Sequence, residues 1–93
     1  MLKVFAVCGM GLGTSIILKS RLKEALNKQG VDHSLEVTDA SAVAGQDADL
    51  IFTSEELGEK IRNKKAKVVV INNFTDRKEI GAKVEAAVAE IGA

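Results

Sequence analysis

Cys8-Gly9-Met10-Gly11-Leu12-Gly13-Thr14-Ser15 sets a nucleophile, three glycines and two hydroxyls within eight consecutive residues. Three glycines at alternate positions let the backbone turn its amides inward and come close to an anion. A helix beginning just after them would aim its free N–H groups and positive end at the same point. The result is a cradle for a phosphate-sized dianion that opens with a thiol. Such an electropositive setting is expected to lower the thiol pKa below its free value of roughly 8.5. A thiolate beside an anion cradle suggests a nucleophile that attacks phosphorus and then holds the phosphoryl group. Phosphoryl transfer depends mainly on positioning and charge stabilisation, which amides and hydroxyls can supply.

Other readings of the loop stand beside this one. The dinucleotide fingerprint needs a glycine at position 14, where this chain has Thr14, and its acidic ribose ligand would have to be Glu36 or Asp39. A Walker loop needs Gly-Lys-Ser/Thr, which is missing here. Cys8 could also be a small buried apolar residue at a strand end. Cysteine phosphatases place an arginine six residues after the cysteine; here that position is Thr14, followed by Ser15. Without the bidentate arginine clamp, hydrolysis should be poor and a phosphorylated cysteine should persist. A small anion-binding module remains the competing class, and it would keep its affinity without the thiol.

The elements around the loop must put it at a strand end. Leu2 to Val7 is apolar except for Lys3, the pattern of a strand buried on both faces rather than of a signal peptide. From Thr14 the period turns helical, with Ile17, Leu18, Leu22, Ala25 and Leu26 on one face and Gly30 as the stop. Ser34 to Thr38 alternates as a short edge strand, with Leu35 and Val37 on one side. Residues 39–47 are small and polar, and form either a turn of helix or a plain loop. Ala48 to Phe52 is a third strand. Thr53 with Glu56 has capping-box spacing for a helix whose face holds Leu57 and Ile61. Ala66 to Ile71 is the fourth strand. Ile80, Val84, Ala87, Val88 and Ile91 make the last helix, with Asp76 and Glu79 at capping-box spacing. Strands alternating with helices predict a Rossmann-like α/β domain: a four-stranded parallel sheet flanked by helices, with ligands beyond the carboxyl ends of the strands.

Composition narrows the function classes. The 93 residues are 46% hydrophobic and 28% charged, and thirteen basic side chains offset thirteen acidic ones. No global field draws in nucleic acid or anionic lipid, and no apolar run reaches the roughly 18 residues of a membrane span. One cysteine and one histidine exclude an internal disulfide and any multi-cysteine metal site. No metal and no organic cofactor is implied. A cytoplasmic protein is expected, with both ends complete and residues 1–93 forming one domain.

Val7-Cys8-Gly9-x-Gly11-x-Gly13 with Thr14-Ser15, Phe52-Thr53-Ser54 after the third strand and Val70-Ile71-Asn72-Asn73-Phe74 after the fourth resemble the EIIB components of the bacterial sugar phosphotransferase system (PTS). The likeness covers essentially the whole chain. It is strongest to the ascorbate type, close to the galactitol and lactose/cellobiose types. The resemblance implies that Cys8 is the phosphocysteine, accepting the group from phosphohistidine of EIIA. It implies that Gly9, Met10, Gly11, Leu12, Gly13, Thr14 and Ser15 surround the phosphate. It further implies that the group passes to a sugar, L-ascorbate in the ascorbate type, held by membrane EIIC. The apolar Met10 and Leu12 would then sit where EIIA and EIIC alternately dock, or fold back onto the sheet edge.

Other polar residues receive ordinary readings. His33, just before the edge strand, should lie at the opposite end of the strands from Cys8, as a solvated loop histidine. Asn72 and Asn73 could line the crevice or simply form a turn, and Asp49 and Asp76 are of interest by location. Arg62, Lys64, Lys65 and Lys67 read as a solvated basic patch closing a helix.

Overall fold

The computed structural model describes residues 2–7, 12–59, 61, 66–74 and 76–91, without the side chains of residues 12–15, 40 and 56. The elements are β1 (Leu2–Val7), α1 (Leu12–Lys28), β2 (His33–Thr38), α2 (Ala40–Val43), β3 (Leu50–Thr53), α3 (Glu55–Gly58), β4 (Lys67–Val70) and α4 (Arg77–Ile91). All strand pairs are parallel, in the order β2-β1-β3-β4. The expected four-stranded parallel α/β fold is what the chain adopts, with β1 central and β2 at an edge.

Alternation along the strands divides the core. Leu2, Val4 and Ala6 of β1, with Leu50 and Phe52 of β3, face the layer that carries Leu18, Leu22 and Leu26 of α1 and Ile80, Val84 and Val88 of α4. Phe5, Val7 and Ile51 point the other way, onto Val43, Ala48 and Ile61. Both faces are covered, which is why β1 reads as a nearly unbroken apolar run. Lys3, the exception, is exposed, and its Nζ lies 3.4 Å from Asp47 Oδ2.

Several local expectations need correction. Helix α1 begins at Leu12 rather than Thr14, so residues 12–15 form its first turn. Ile17 is 40% exposed and does not join the buried stripe of Leu18, Leu22, Ala25 and Leu26. One more residue of rotation carries it past the edge of the sheet-facing arc. Gly30 ends the helix as expected, with φ at +69°. Residues 39–47 hold a turn of helix, capped by Asp39, whose Oδ1 accepts from the Ala42 amide at 2.7 Å and the Ser41 hydroxyl at 2.8 Å. Those two bonds hold the Asp39 carboxyl below its ordinary pKa. Helix α3 is a single turn ending at Gly58, so Ile61 reaches the core from beyond it. Lys67 opens β4, with Nζ 2.8 Å from Glu90 Oε2, and so does not close a helix; Arg62, Lys64 and Lys65 lie outside the described residues.

Candidate functional site

The site end of the sheet follows from the strand order. β1 is flanked by β2 on one side and β3 on the other, so β1 ends, at Val7, where the connections diverge, the usual place for a ligand in such sheets. Cys8, Gly9, Met10 and Gly11 lie outside the described residues. Leu12, Gly13, Thr14 and Ser15 are already helical, so the phosphate loop inferred from sequence is in part the first turn of α1. Amides of a first turn have no partner within their helix, which leaves them free to meet an anion.

Thr53 fixes the end of β1. It pairs with Val7 across β1 and β3 and is completely buried. Its hydroxyl donates to the Val7 carbonyl at 2.9 Å, while its own carbonyl accepts from the Ile71 amide at 2.7 Å. One residue thus ties the last peptide of β1 to the end of β4. Capping-box spacing had suggested Thr53 as a helix cap; that role belongs to Ser54, whose hydroxyl accepts from the Leu57 amide at 3.3 Å. The reason is burial. A threonine inside the sheet has a nearby carbonyl to bond, whereas the next residue, past the strand end, is only partly buried.

Beyond β4 the chain is held by Glu79. Its two carboxylate oxygens accept from the Asn72 amide at 2.7 Å and the Asn73 amide at 2.9 Å. Lys83 adds an ion pair at 2.7 Å and also donates to the Val70 carbonyl. Asp76 does cap α4, accepting from the Lys78 and Glu79 amides. Glu79, however, reaches back to the preceding loop rather than closing the expected box. Glu79 and Lys83 lie one helical turn apart on α4, and the loop clamp appears only once β4 and α4 are packed together.

Lys83 first, then the Asn72 amide, lower the Glu79 pKa from an ordinary 4.5 to about 2. A carboxylate depressed on folding contributes stability that is present above its unfolded pKa and lost as pH falls through the folded one. For Glu79 that window runs from pH 4.5 down to about 2. Glu79→Gln should therefore lower stability by about 1–3 kcal/mol at pH 7, as it weakens charge-assisted bonds to two amides. The gap from wild type should close as pH approaches the lower end of that window. Urea midpoints followed by circular dichroism across this range test it. A gap that stays constant would mean Glu79 contributes nothing as an anion.

Asn72 lines an open groove of about 440 Å³ with Ser54, Glu55, Glu59 and Ile71 at this same end of the sheet. His33 pairs with Leu2, at the opposite end. It opens β2 rather than sitting in a loop, half-buried, with Nδ1 2.8 Å from the Val31 carbonyl. Asp49 also belongs to the far end: its carboxylate accepts from the Lys3 amide at 2.8 Å, aligning β3 with β1. Among the described residues no three His, Cys, Asp or Glu side chains cluster to hold a metal. No described helix is long and apolar enough to cross a membrane.

Comparison with known proteins bears on the same arrangement. Residues 3–86 match the family model described as the lactose/cellobiose-specific IIB subunit of the PTS. The chain is also 32% identical, over 85% of its length and 86% of the relative's, to a protein of Mycoplasma pneumoniae (strain ATCC 29342 / M129 / Subtype 1) named "Ascorbate-specific PTS system EIIB component". The family match takes in β1 from its second residue, the other three strands, helices α1 to α3 and most of α4. On these two matches the chain belongs to the EIIB subunits of the sugar phosphotransferase system.

Proposed function

We propose that residues 1–93 act as the phosphocarrier domain of an ascorbate-type system, with Cys8 as the phosphorylated nucleophile. The observation that supports this reading is where β1 ends, at Val7, one residue before Cys8 in the sequence. Val7 closes a central strand where the strand order diverges, and the next described element is the helix that starts at Leu12. The Cys8 thiolate attacks the phosphorus of phosphohistidine on EIIA; the S–P bond forms and the N–P bond breaks, releasing imidazole. Amides of residues 9–15 and the hydroxyls of Thr14 and Ser15 hold the dianion. A sugar hydroxyl held by EIIC then attacks phosphorus, the S–P bond breaks, the thiolate returns and the hydroxyl proton is released.

Met10, Gly11 and Leu12 would present the loop to both partners, beside Ile16, which is 67% exposed. The domain would work at the cytoplasmic side of EIIC, without metal or organic cofactor. L-ascorbate as substrate is supported by the name of the Mycoplasma pneumoniae relative, and the family description favours lactose or cellobiose as the alternative.

Intact mass after incubation with phosphoenolpyruvate, the general PTS proteins and a panel of EIIA proteins tests the proposal. One added phosphoryl group, mapped to the peptide containing Cys8, is expected, and most rapidly from an ascorbate-type EIIA. Efficient loading only from a cellobiose- or galactitol-type donor would reassign the sugar. Sustained hydrolysis of an aryl phosphate would instead make the protein a phosphatase.

A further inference from the structure

We propose that the groove between α1 and α4 is a second anion site, built to take the phosphate of a phosphate ester and independent of the Cys8 assignment. The groove measures about 400 Å³, within the range of roughly 300–1,000 Å³ typical of small-ligand sites. Arg21 and Lys28 of α1 face Arg77 and Lys78 of α4 across it, with Glu24 and Glu85 as the acidic residues of the lining. This is a local surplus of two positive charges on a chain of zero net charge. Arg21 lies roughly 13 Å, and Lys28 roughly 24 Å, along α1 from Leu12 at 1.5 Å per residue, well away from the first turn.

A solvated basic helix face would account for the charges, but two observations go beyond it. The Arg21 Nε is buried and has no hydrogen-bond partner among the described residues. Buried guanidinium N–H groups are normally matched to an acceptor, and an arginine fork fits the oxygens of a phosphate. The second observation is Gly81, which lines the same groove within α4. Its φ is not positive, and a Cβ there would meet nothing within 4 Å. Neither backbone nor packing calls for glycine, although glycine inside a helix lowers stability relative to alanine. What the missing side chain does provide is open space in the groove. Glu24 lies 3.9 Å from the Arg77 Nε, and Arg21, Lys28 and Lys78 are the other cations of the lining. The phosphate could come from a soluble monoester or from an anionic lipid headgroup.

Residue-resolved NMR titration of the full chain tests the site, with glycerol 3-phosphate and inorganic phosphate as soluble probes and sodium chloride at matched ionic strength as control. Phosphatidylglycerol and phosphatidylcholine vesicles form the lipid arm. Saturable shifts at Arg21, Lys28, Arg77 and Gly81, including the Arg21 Nε–H, are expected with a phosphate probe and not with chloride. Arg21→Gln should weaken binding at least about tenfold, the loss expected for one charge-assisted hydrogen bond. Gly81→Leu, which fills the groove without removing a charge, should do the same. Binding to phosphatidylglycerol vesicles alone, lost in both variants, would support the site and identify a lipid headgroup as its ligand. Shifts confined to residues 8–15, shifts reproduced by chloride, or binding undiminished in both variants would overturn it.

Discussion

Cys8→Ser should abolish phosphoryl acceptance while leaving the urea midpoint of the protein unchanged. A thiol with an ordinary pKa near 8.5 is already a few per cent thiolate at neutral pH, and thiolate is the nucleophile. A serine hydroxyl stays protonated there unless a base removes its proton. Among the described residues, the one histidine of the chain is at the far end of the strands, opposite Leu2. The glycine loop and the first turn of α1 would survive the change, so anion affinity should persist. The expected loss in transfer rate is on the order of 10⁴-fold or more, the scale seen when a nucleophile is removed from an otherwise intact site. Transfer from labelled phospho-EIIA, measured at matched protein stability, decides the matter. A serine variant that still accepts and passes on the label would place the phosphoryl group on another residue. A variant that loses transfer only because it has unfolded would show a shifted midpoint.

That contrast also marks what the sequence made legible. Central strand β1 could be read outright because both of its faces are covered, which leaves Leu2 to Val7 apolar with one interruption. The stripe through Leu18, Leu22, Ala25 and Leu26 was clear for the same reason, since burial writes its period into the sequence. Ile17 misled because hydropathy alone does not show where a buried arc ends. Cys8 and its glycines stood out because their types are so restricted by the chemistry. Thr53 and Glu79 did not. Both act through backbone groups distant in sequence: the Val7 carbonyl, 46 residues from Thr53, and the Asn72 and Asn73 amides that the α4 packing brings to Glu79. Any residue has a backbone amide and carbonyl, so such partners leave no mark in residue types. The local alternative, a capping box, had the right spacing in both cases and was the reading available from sequence. In the fold, burial of Thr53 and the reach of Glu79 toward the loop gave both side chains stronger partners.

The largest expected effect on stability lies one residue before Thr53. Phe52 is completely buried in the cluster shared by the sheet, α1 and α4. Its lateral neighbours in register are Ala6 and Val69. A large ring beside the small side chain of Ala6 fills space between the sheet and the helices. Phe52→Ala should therefore leave a cavity and cost about 3–5 kcal/mol. At roughly 0.05–0.15 kcal/mol per residue, a domain of this size has only about 5–14 kcal/mol to lose, so the variant would be marginal at best. Phe52→Leu, which keeps much of the apolar volume, should recover a large part of the loss. The chain contains no tryptophan or tyrosine, so urea unfolding must be followed by far-ultraviolet circular dichroism. If Phe52→Ala cost less than about 1 kcal/mol, the two helices would have to close over the vacated space. In that case the sheet rim running from Val7 through Thr53 to Ile71 would shift with them. Phosphoryl acceptance at Cys8 would then fall in a protein that remained folded. A loss of stability with acceptance preserved in the residual folded fraction is the result expected if the rim is held by its own hydrogen bonds and Phe52 serves the core alone.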